Sequence, residues 1–461
     1  MNPISRRKFV KSTACVSAGF FGLHRLFATN AYAAPAAVGS RFGPLVPDPK
    51  GIVDLPDGFR YSIVGRVGDF MSDGLRTPGA PDGMGTFADE NGKTIIVRNH
   101  ELTPGANFAG PFGTQYELFD LVDKKKLYDV GKAGRPALGG TSTVVFDTAT
   151  QKVESEFMSL LGTTRNCAGG VTPWNSWVTC EETVQRAGKF ARRDHGYVFE
   201  VPATTRMNLH RAVPITGMGR FNHEAIAVDP RTGIVYLTED RPDGLFYRYL
   251  PKSYGELYKG GKLQALAVKD IRSADTRNWN EDSIAFPVNL PAAVKWIDID
   301  DVRSPEDDLR YQGFESGAAV FARGEGIWFG NSEVYFACTN GGKTLTGQIF
   351  RYVPSEFEGD KNERKYPARL ELFLEPNDSN LLENADTLTV APWGDLFVCE
   401  DGSENDFIRG VTQNGEIYNF AFNHYNSSEF CGVCFSPDGT TMFVNIQGPG
   451  ITLAITGPWT G

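Results

Sequence analysis

The chain has 461 residues, of which 41% are hydrophobic and 12% aromatic, and its formal net charge is −10 at pH 7. This length is sufficient for one large domain or two smaller ones. The acidic balance argues against nucleic acid as a partner, and a phosphorylated substrate would be repelled unless bound cations reversed the local field.

Residues 1–33 have the features of an export signal. The segment Ser5-Arg6-Arg7-Lys8-Phe9 matches a twin-arginine motif, a short apolar stretch follows, and Ala31-Tyr32-Ala33 fits a cleavage site. Without this leader, the remaining 428 residues carry a net charge of −15. We predict export through the twin-arginine machinery to the periplasm or the cell exterior. No later apolar run reaches about 18 residues, so we expect no stable membrane insertion.

Residues 34–461 are predicted to form a single all-β domain. β-Branched and aromatic residues alternate with turn residues from Asp82 onwards, and helical periodicity is scarce. A hairpin pattern recurs six times, starting near residues 82, 167, 224, 325, 386 and 431. Further strand candidates follow the hairpins, as in the four-stranded blade of a β-propeller. We therefore predict a six-bladed β-propeller, with the intervals 102–138 and 250–315 as surface insertions.

The second hairpin combines two unlike kinds of metal ligand. It opens at Cys167 and closes about 15 residues later with Glu181 and Glu182, after a proline-containing turn. The two ends of a hairpin lie side by side, so a soft thiolate is expected near hard carboxylates at one rim.

Four carboxylates and two thiols occupy equivalent positions of the six hairpins. In a propeller, the first strand of each blade lines the central channel, and its opening residue points towards the axis. These residues are Asp82, Cys167, Glu224, Glu325, Asp386 and Cys431. Five second strands also end in a carboxylate or amide, at Glu101, Glu182, Asp240, Asn340 and Asp401. So many acids in one place cannot all ionise without cations, which favours bound metal over the alternative that each acid merely caps a turn.

The ligand types restrict the choice of metal. The histidines form no cluster with metal-binding spacing, which argues against a histidine-rich zinc or copper centre. Oxygen ligands with one thiolate suit calcium together with iron or manganese. Three further cysteines occupy similar places late in second strands, and we expect them to be buried free thiols: Cys180, Cys338 and Cys399.

Several motifs together resemble the PhoX-type alkaline phosphatases. Besides the leader, they are Asn-Cys-Ala-Gly-Gly-x-Thr-Pro-Trp from Asn166, Thr-Cys-Glu-Glu from Thr179, Asn-His-Glu-Ala from Asn222, Arg-x-Glu-Gly from Arg323 and Gly-Val-x-Phe-Ser-Pro-Asp-Gly from Gly432. The resemblance covers most of the chain after the leader. It implies a phosphatase that hydrolyses phosphate monoesters with a cofactor of two ferric ions and calcium ions at the top of the funnel.

The resemblance also implies individual metal ligands. Cys167 would bridge the iron ions, Glu224 and Glu182 would bind iron, and Glu325 would bind calcium. Glu181 could exchange roles with Glu182. The first and fifth hairpins add the aspartates at the position equivalent to Cys167. The expected metal ligands are therefore Cys167, Glu181, Glu182, Glu224, Glu325, Asp386 and Asp82.

Asn222 and Arg323 are the residues that the resemblance assigns to phosphate binding. Each lies two residues before a carboxylate expected to bind metal. Arginine offers a bidentate fork for two phosphate oxygens, and asparagine a neutral donor. No further substrate-binding arginine can be aligned, and Arg165 and Arg135 are the candidates.

Two other classes of function remain open at this point. A calcium-dependent propeller hydrolase, such as a lactonase or phosphotriesterase, would need a base in the funnel, and His223 is the well-placed histidine. A thiolate-bridged ferric site would colour the protein, whereas a calcium site would not. In a non-catalytic binding propeller, Cys167→Ala would leave the fold and ligand binding unchanged.

Overall fold

A computed structural model describes residues 41–106, 109–132, 134–280, 285–404 and 406–459. The predicted leader lies outside these residues. The regular structure in the described ranges is almost entirely β, apart from short 3-10 turns and one α-helix, α1 (Leu309–Ser316). No helix found there is long and apolar enough to cross a membrane.

The strands form six blades, as predicted. Before the first hairpin the chain forms β1 (Leu45–Val46), β2 (Val53–Pro56) and β3 (Arg60–Arg66). Blade 1 contains β4 (Pro81–Ala88), β5 (Thr94–His100), β6 (Gly139–Asp147) and β7 (Lys152–Thr163). Blade 2 contains β8 (Asn166–Val171), β9 (Ser176–Glu181) and β10 (Val198–Pro202). Blade 3 contains β11 (His223–Val228), β12 (Val235–Glu239), β13 (Phe246–Pro251) and β14 (Gly261–Val268).

The remaining blades follow after β15 (Ala292–Asp298) and α1. Blade 4 contains β16 (Gly324–Gly330), β17 (Glu333–Cys338), β18 (Gln348–Val353) and β19 (Arg369–Leu374). Blade 5 contains β20 (Ala385–Val390), β21 (Leu396–Glu400), β22 (Phe407–Val411) and β23 (Ile417–Asn423). Blade 6 contains β24 (Phe430–Phe435), β25 (Thr441–Ile446) and β26 (Ile451–Thr456).

The ring of blades is closed by strands from the two ends of the described chain. β3 pairs antiparallel with β26 and becomes the fourth strand of blade 6. β2 pairs with β23 and extends blade 5. Each innermost strand contacts the innermost strand of the next blade, and β24 contacts β4.

The interval 250–315 is only partly an insertion. It supplies β14, the fourth strand of blade 3, and β15, which pairs with both β14 and β19. Blades 3 and 4 therefore share one nine-stranded sheet. The sequence did not reveal β15 because its pairing connects two separate blades.

The inner strands approach each other closely around the axis. A Cβ atom at Gly83 would lie 2.5 Å from Cα of Ala168 in the next blade, so only glycine allows this contact. Apolar residues fill the space between blades, where Phe246 stacks on Phe336 and Phe336 on Phe350. All six cysteines among the described residues are free, and Cys180, Cys338 and Cys399 are buried, which confirms the prediction for these three.

Each inner strand has a β-bulge near its start, and in blade 6 the bulge begins one residue later than in the other five. The pairing with the second strand shifts between Pro81/Met84, Asn166/Gly169, His223/Ile226, Gly324/Ile327, Ala385/Leu388 and Cys431/Cys434. A bulge adds a residue to one strand and redirects side chains. In five blades the first residue of the bulge is an acid or thiol that the sequence placed at the funnel.

Candidate metal centre

Six of the seven predicted ligands meet at one end of the central channel, together with Glu101, in three overlapping groups, and Glu181 is the predicted ligand that does not join them. Within each group the ligand atoms lie within 4.8 Å of one another, and the groups are Asp82–Glu101–Cys167, Cys167–Glu182–Glu224 and Glu224–Glu325–Asp386. Cys167 and Glu224 each belong to two groups, so the seven residues form one continuous set. We call it the funnel cluster.

Two features of every hairpin place these residues. Five of them occupy the bulges of inner strands, and Glu101 and Glu182 directly follow second strands. In each blade a main-chain amide at the end of the second strand donates to a carbonyl before the first strand. These bonds are Glu101→Ala80, Glu182→Arg165, Asp240→Asn222, Thr339→Arg323, Asp401→Asn384 and Gln447→Glu429, with lengths of 2.8–3.2 Å.

The acceptor positions of these bonds are conformationally unusual. Ala80, Arg165, Arg323 and Asn384 have φ angles of 41°, 50°, 52° and 52°. This left-handed region is disfavoured for residues other than glycine, and such strain concentrates at functional sites. In four of the five blades that supply an inner-strand ligand, the side chain two residues before that ligand is therefore placed by a left-handed backbone rather than by an extended strand.

Arginines neutralise only some acids of the funnel cluster, since Arg165 pairs with Glu101 and Glu182 and Arg323 with Glu325. Glu224 is fully buried, and neither of its carboxylate oxygens has a hydrogen-bond partner among the described residues; the same holds for Oδ1 of Asp82. Burial, reinforced by neighbouring acids, raises the pKa of Glu224 and Asp82 well above the usual range. It raises the pKa of Asp386 to about 7. Unpaired buried carboxylates are unfavourable, and bound cations remove that penalty.

Cys167 lies where a soft ligand is surrounded by hard ones. Its Sγ is 3.3 Å from Oδ2 of Asp82. Burial and the neighbouring carboxylates raise the pKa of this thiol well above its usual range. A thiolate at this position therefore needs a bound cation, since metal coordination deprotonates thiols. The residues of the funnel cluster thus fit a metal cofactor.

The structure separates the two adjacent glutamates. Glu181 faces away from the funnel cluster, where Oε1 accepts bonds from His195 Nδ1 at 2.6 Å and Thr164 N at 3.0 Å, and Oε2 accepts one from Gly196 N at 2.9 Å. Both its oxygens are thus occupied within the protein. Glu182 is the member that enters the cluster, and burial, opposed by Arg165, raises its pKa to about 8.

The two predicted phosphate-binding residues border the cluster. Arg323 donates to both oxygens of Asp240 at 2.7 and 2.9 Å and lies 2.9 Å from Oε1 of Glu325. Asn222 donates from Nδ2 to Oε1 of Glu182 at 3.3 Å. Each contacts one proposed metal ligand, so both border the space above the ions that the cluster would hold.

The two candidate arginines differ in their surroundings. Arg165 pairs with Glu101 at 2.8 Å and also with Glu182, and 39% of its side chain remains exposed. Arg135 is exposed and lies over the ring of Phe190, 5.3 Å from its centroid. Of the two, only Arg165 contacts the funnel cluster.

A family model described as alkaline phosphatase PhoX matches residues 40–450. The chain belongs to the PhoX family of alkaline phosphatases. This membership agrees with the class predicted from the motifs, a metal-dependent phosphatase. Among curated proteins, none matches the sequence.

The solved structures support the same fold. PhoX of Pseudomonas fluorescens in complex with vanadate, a transition state analogue, matches with a TM-score of 0.64 and 17% identity, covering 91% of this chain and 98% of that chain. A gluconolactonase of Xanthomonas campestris gives a TM-score of 0.42 and 10% identity, covering 93% of this chain and 99% of that chain. The likeness to Pseudomonas PhoX shows a shared propeller, and the weaker one carries no functional argument.

His223 does not fit the base that another propeller hydrolase would need. It is fully buried, its ring lies 3.6 Å from that of Phe221, and Nε2 contacts the carbonyl of Gly219 at 3.0 Å. Burial lowers its pKa to about 3. The PhoX motif Asn-His-Glu-Ala thus turns Asn222 and Glu224 towards the funnel and His223 into the core.

Sequence reasoning missed or misplaced four residues of this region. Glu101 was noted at a strand end but left out of the expected ligands. Gln447 supplies the strand-end amide of the sixth copy, donating to Asp82 at 3.1 Å and Glu101 at 3.2 Å. Cys431 lies outside the funnel cluster, because its thiol donates to the carbonyl of Pro81 at 3.1 Å.

Glu429 is the fourth residue. It lies two residues before Cys431, in the register that holds Arg165, Asn222 and Arg323 in other blades. Burial raises the pKa of the Glu429 carboxyl well above the usual range, and the nearby negative charges of Asp386 and Asp82 raise it further. Glu429 therefore lies close to the cluster. This register was the sequence signal that could have identified it.

Proposed function

We propose that this protein is an exported phosphatase that hydrolyses phosphate monoesters with a cofactor of two ferric ions and calcium. The observation that carries the proposal is Glu224, which is fully buried and has no hydrogen-bond partner for either oxygen within the described ranges. It joins a thiol-containing group of ligands to an all-carboxylate group. Such a residue is best explained as a bridging metal ligand.

The two kinds of group suit different ions. Glu224, Glu325 and Asp386 offer only oxygen, which suits calcium. The groups that contain Cys167 add a soft ligand to carboxylates, which suits iron. When bound, the ions supply positive charge to the phosphate oxygens and lower the pKa of an oxygen nucleophile.

Substrate binding falls to side chains at the rim. The carboxylate of Asp240 accepts hydrogen bonds from two nitrogens of the Arg323 guanidinium and holds it in one position. About one third of the side chain, 33%, stays exposed. Arg323 can therefore contact phosphate oxygens without rearranging, and Asn222 adds a donor from the adjacent blade. Arg165, held between Glu101 and Glu182, adds a second cation. Together with the bound ions, these groups would make the rim attractive to an anion despite the acidic balance of the chain.

The predicted twin-arginine leader supports export of a protein that folds and acquires its ions beforehand. Small phosphorylated compounds would be the substrates, met in the periplasm or outside the cell, and the export machinery would be a transient partner. The leader lies outside the described residues, so this part of the proposal rests on sequence.

The test combines metal content, colour and activity in protein exported with its own leader. We expect iron and calcium, visible absorption, and hydrolysis of p-nitrophenyl phosphate at alkaline pH that chelators abolish. Arg323→Lys should raise KM for this ester. The matched control is Arg351→Lys, since Arg351 pairs with Glu371 at 2.6 Å outside the funnel. Calcium without iron in a colourless protein would indicate another kind of hydrolase. A protein that contains no metal would contradict the proposal.

A further inference from the structure

Arg241 contacts both residues proposed to bind phosphate. Its side chain donates from Nη2 to Oδ1 of Asn222 at 3.0 Å. Its carbonyl accepts the main-chain amide hydrogen of Arg323 at 3.0 Å. Arg241 also directly follows Asp240, whose carboxylate holds the guanidinium of Arg323. Two consecutive residues of one loop therefore hold the two proposed phosphate-binding side chains: Asp240 holds Arg323, and Arg241 holds Asn222.

The contact with Arg241 determines which end of the Asn222 amide faces the funnel. A guanidinium can only donate hydrogen bonds, so the atom of Asn222 that faces Arg241 must be the oxygen. The amide nitrogen then points towards Glu182, with which it forms a bond of 3.3 Å. If the amide group of Asn222 were rotated by half a turn, its oxygen would face the funnel in place of its nitrogen. An oxygen acceptor there would repel phosphate. As a proposed metal ligand, Glu182 is drawn to an ion in the loaded protein, so Arg241 is the partner that maintains the orientation.

Comparison of the position two residues before the inner-strand ligand in blades 2, 3 and 4 explains why blade 3 needs an additional cation. Arg165 and Arg323 occupy this register in blades 2 and 4, and each is held by the carboxylate of an adjacent strand end, Glu182 and Asp240. Asn222 is uncharged, and its acceptor oxygen needs a donor instead. Arg241 provides this donor at the end of the second strand of the same blade.

Arg241 is itself held by the connection between blades 3 and 4. Its Nη2 lies 3.3 Å from Oδ2 of Asp307, and the two side chains are 30% and 15% exposed. Asp307 also pairs at 3.0 Å with Arg310 of α1, which in turn pairs with Asp243. Nε of Arg241 is buried and has no partner in the part of the chain that is described. The placement of the guanidinium therefore depends on Asp307 and Asn222.

We infer that Arg241 is a positioning residue for phosphate binding, which keeps the amide of Asn222 turned as a donor towards the substrate. This inference rests on the proposed function, because Asn222 must bind phosphate for its orientation to affect catalysis. It adds to that function a residue outside every motif of the chain.

Steady-state kinetics with p-nitrophenyl phosphate test the inference. Arg241→Ala should raise KM, and the inhibition constant of inorganic phosphate, about tenfold each, with a smaller effect on kcat. Metal content and the melting temperature should not change. Arg241→Lys retains one donor and should recover part of the loss. The control is Arg186→Ala, which removes an exposed contact of 3.5 Å with Glu306 in the same connection and should leave both constants unchanged.

A double-mutant cycle separates positioning from an independent charge effect. In the Asn222→Ala background, Arg241→Ala should cause no further loss, since no amide is left to orient. An equal loss in both backgrounds overturns the inference, and so do unchanged constants in the single variant.

A crystal structure of Arg241→Ala decides the matter without reference to activity. If the wild-type protein neither hydrolyses the ester nor binds phosphate, the proposed function fails while this measurement still applies. A side chain of Asn222 displaced from Glu182 supports positioning by Arg241. An Asn222 side chain whose two amide atoms keep hydrogen-bond partners that fix the same orientation overturns it.

Discussion

Sγ of Cys167 lies 3.3 Å from Oδ2 of Asp82, although 85 residues separate them in sequence. Each occupies the bulge of the inner strand of its blade, and the two blades are neighbours. The contact shows how the fold makes a metal site: no single hairpin contains enough ligands, but bulges at one register place them side by side around the axis.

Replacing Cys167 should abolish the cofactor without disrupting the fold. Cys167→Ser removes the thiolate that the proposed iron site requires, so we expect loss of visible absorption and an activity loss of at least about 100-fold. Metal analysis and the absorption spectrum check this. Cys180→Ser is the control, because Cys180 is a buried thiol outside the funnel cluster. It should reduce stability by about 1–2 kcal/mol and retain colour.

Glu181→Gln and Glu182→Gln should have opposite consequences. Glu181 accepts bonds from His195 and from main-chain amides, and a glutamine amide would face some of those donors with its own hydrogens. We expect a loss of about 1–3 kcal/mol in the free energy of unfolding, with the metal content retained. Glu182→Gln should instead lower metal content and activity while the fold persists. Metal loss in Glu181→Gln alone would contradict the assignment.

The buried pair of His195 and Glu181 should make stability depend on pH. Burial opposes the charged imidazole, but Glu181 and Asp129 outweigh it and raise the pKa of His195 to about 9. A raised pKa means that the folded protein binds the proton more tightly. The resulting stabilisation is complete below the unfolded value of about 6.5 and is lost as pH rises through about 9.

Urea titrations of the wild type and His195→Gln measure this contribution. The difference in unfolding free energy between them should shrink by about 3 kcal/mol between pH 6 and pH 10. His424→Gln is the control, since that side chain is 50% exposed and 3.3 Å from Asp54. A difference that stayed constant with pH would show that His195 does not carry a stabilising charge.

Ala80→Gly should stabilise the protein. Ala80 has a φ of 41°, where a side chain costs about 1–2 kcal/mol and glycine does not. The greater chain entropy of glycine offsets about 0.5–1 kcal/mol of the gain. A net increase of about 0.5–1 kcal/mol in unfolding free energy is therefore expected. Ala337→Gly, in the buried strand β17, should destabilise, and equal effects at both positions would argue against backbone strain.

The sequence predicted most of the funnel cluster because one register is repeated in every blade. Aligning the hairpins brings together five residues, each the second residue of an inner strand: Asp82, Cys167, Glu224, Glu325 and Asp386. The choice between Glu181 and Glu182 could not be made in this way. Neighbouring residues of a strand face opposite sides, but the sequence does not reveal that β9 ends at Glu181.

Other features depend on contacts between distant segments. β15 pairs with both β14 and β19, and no local pattern in its sequence specifies either partner. Arg241 is held by Asp307, which lies in the connection between two blades. The sequence around Arg241 or Asp307 does not indicate that the two residues meet. Their contact depends on where the connection folds back over blade 3.

The pairing of β3 with β26 determines when the protein can first bind its ions. Arg60 lies opposite Thr456, so the circle of blades remains open until β26 has been synthesised and has left the ribosome. Throughout synthesis the future ligands are carried on separate sheets that no closed ring holds together. Binding of the ions by the closed ring must therefore follow synthesis of β26, and a chain truncated before Ile451 should remain without its cofactor.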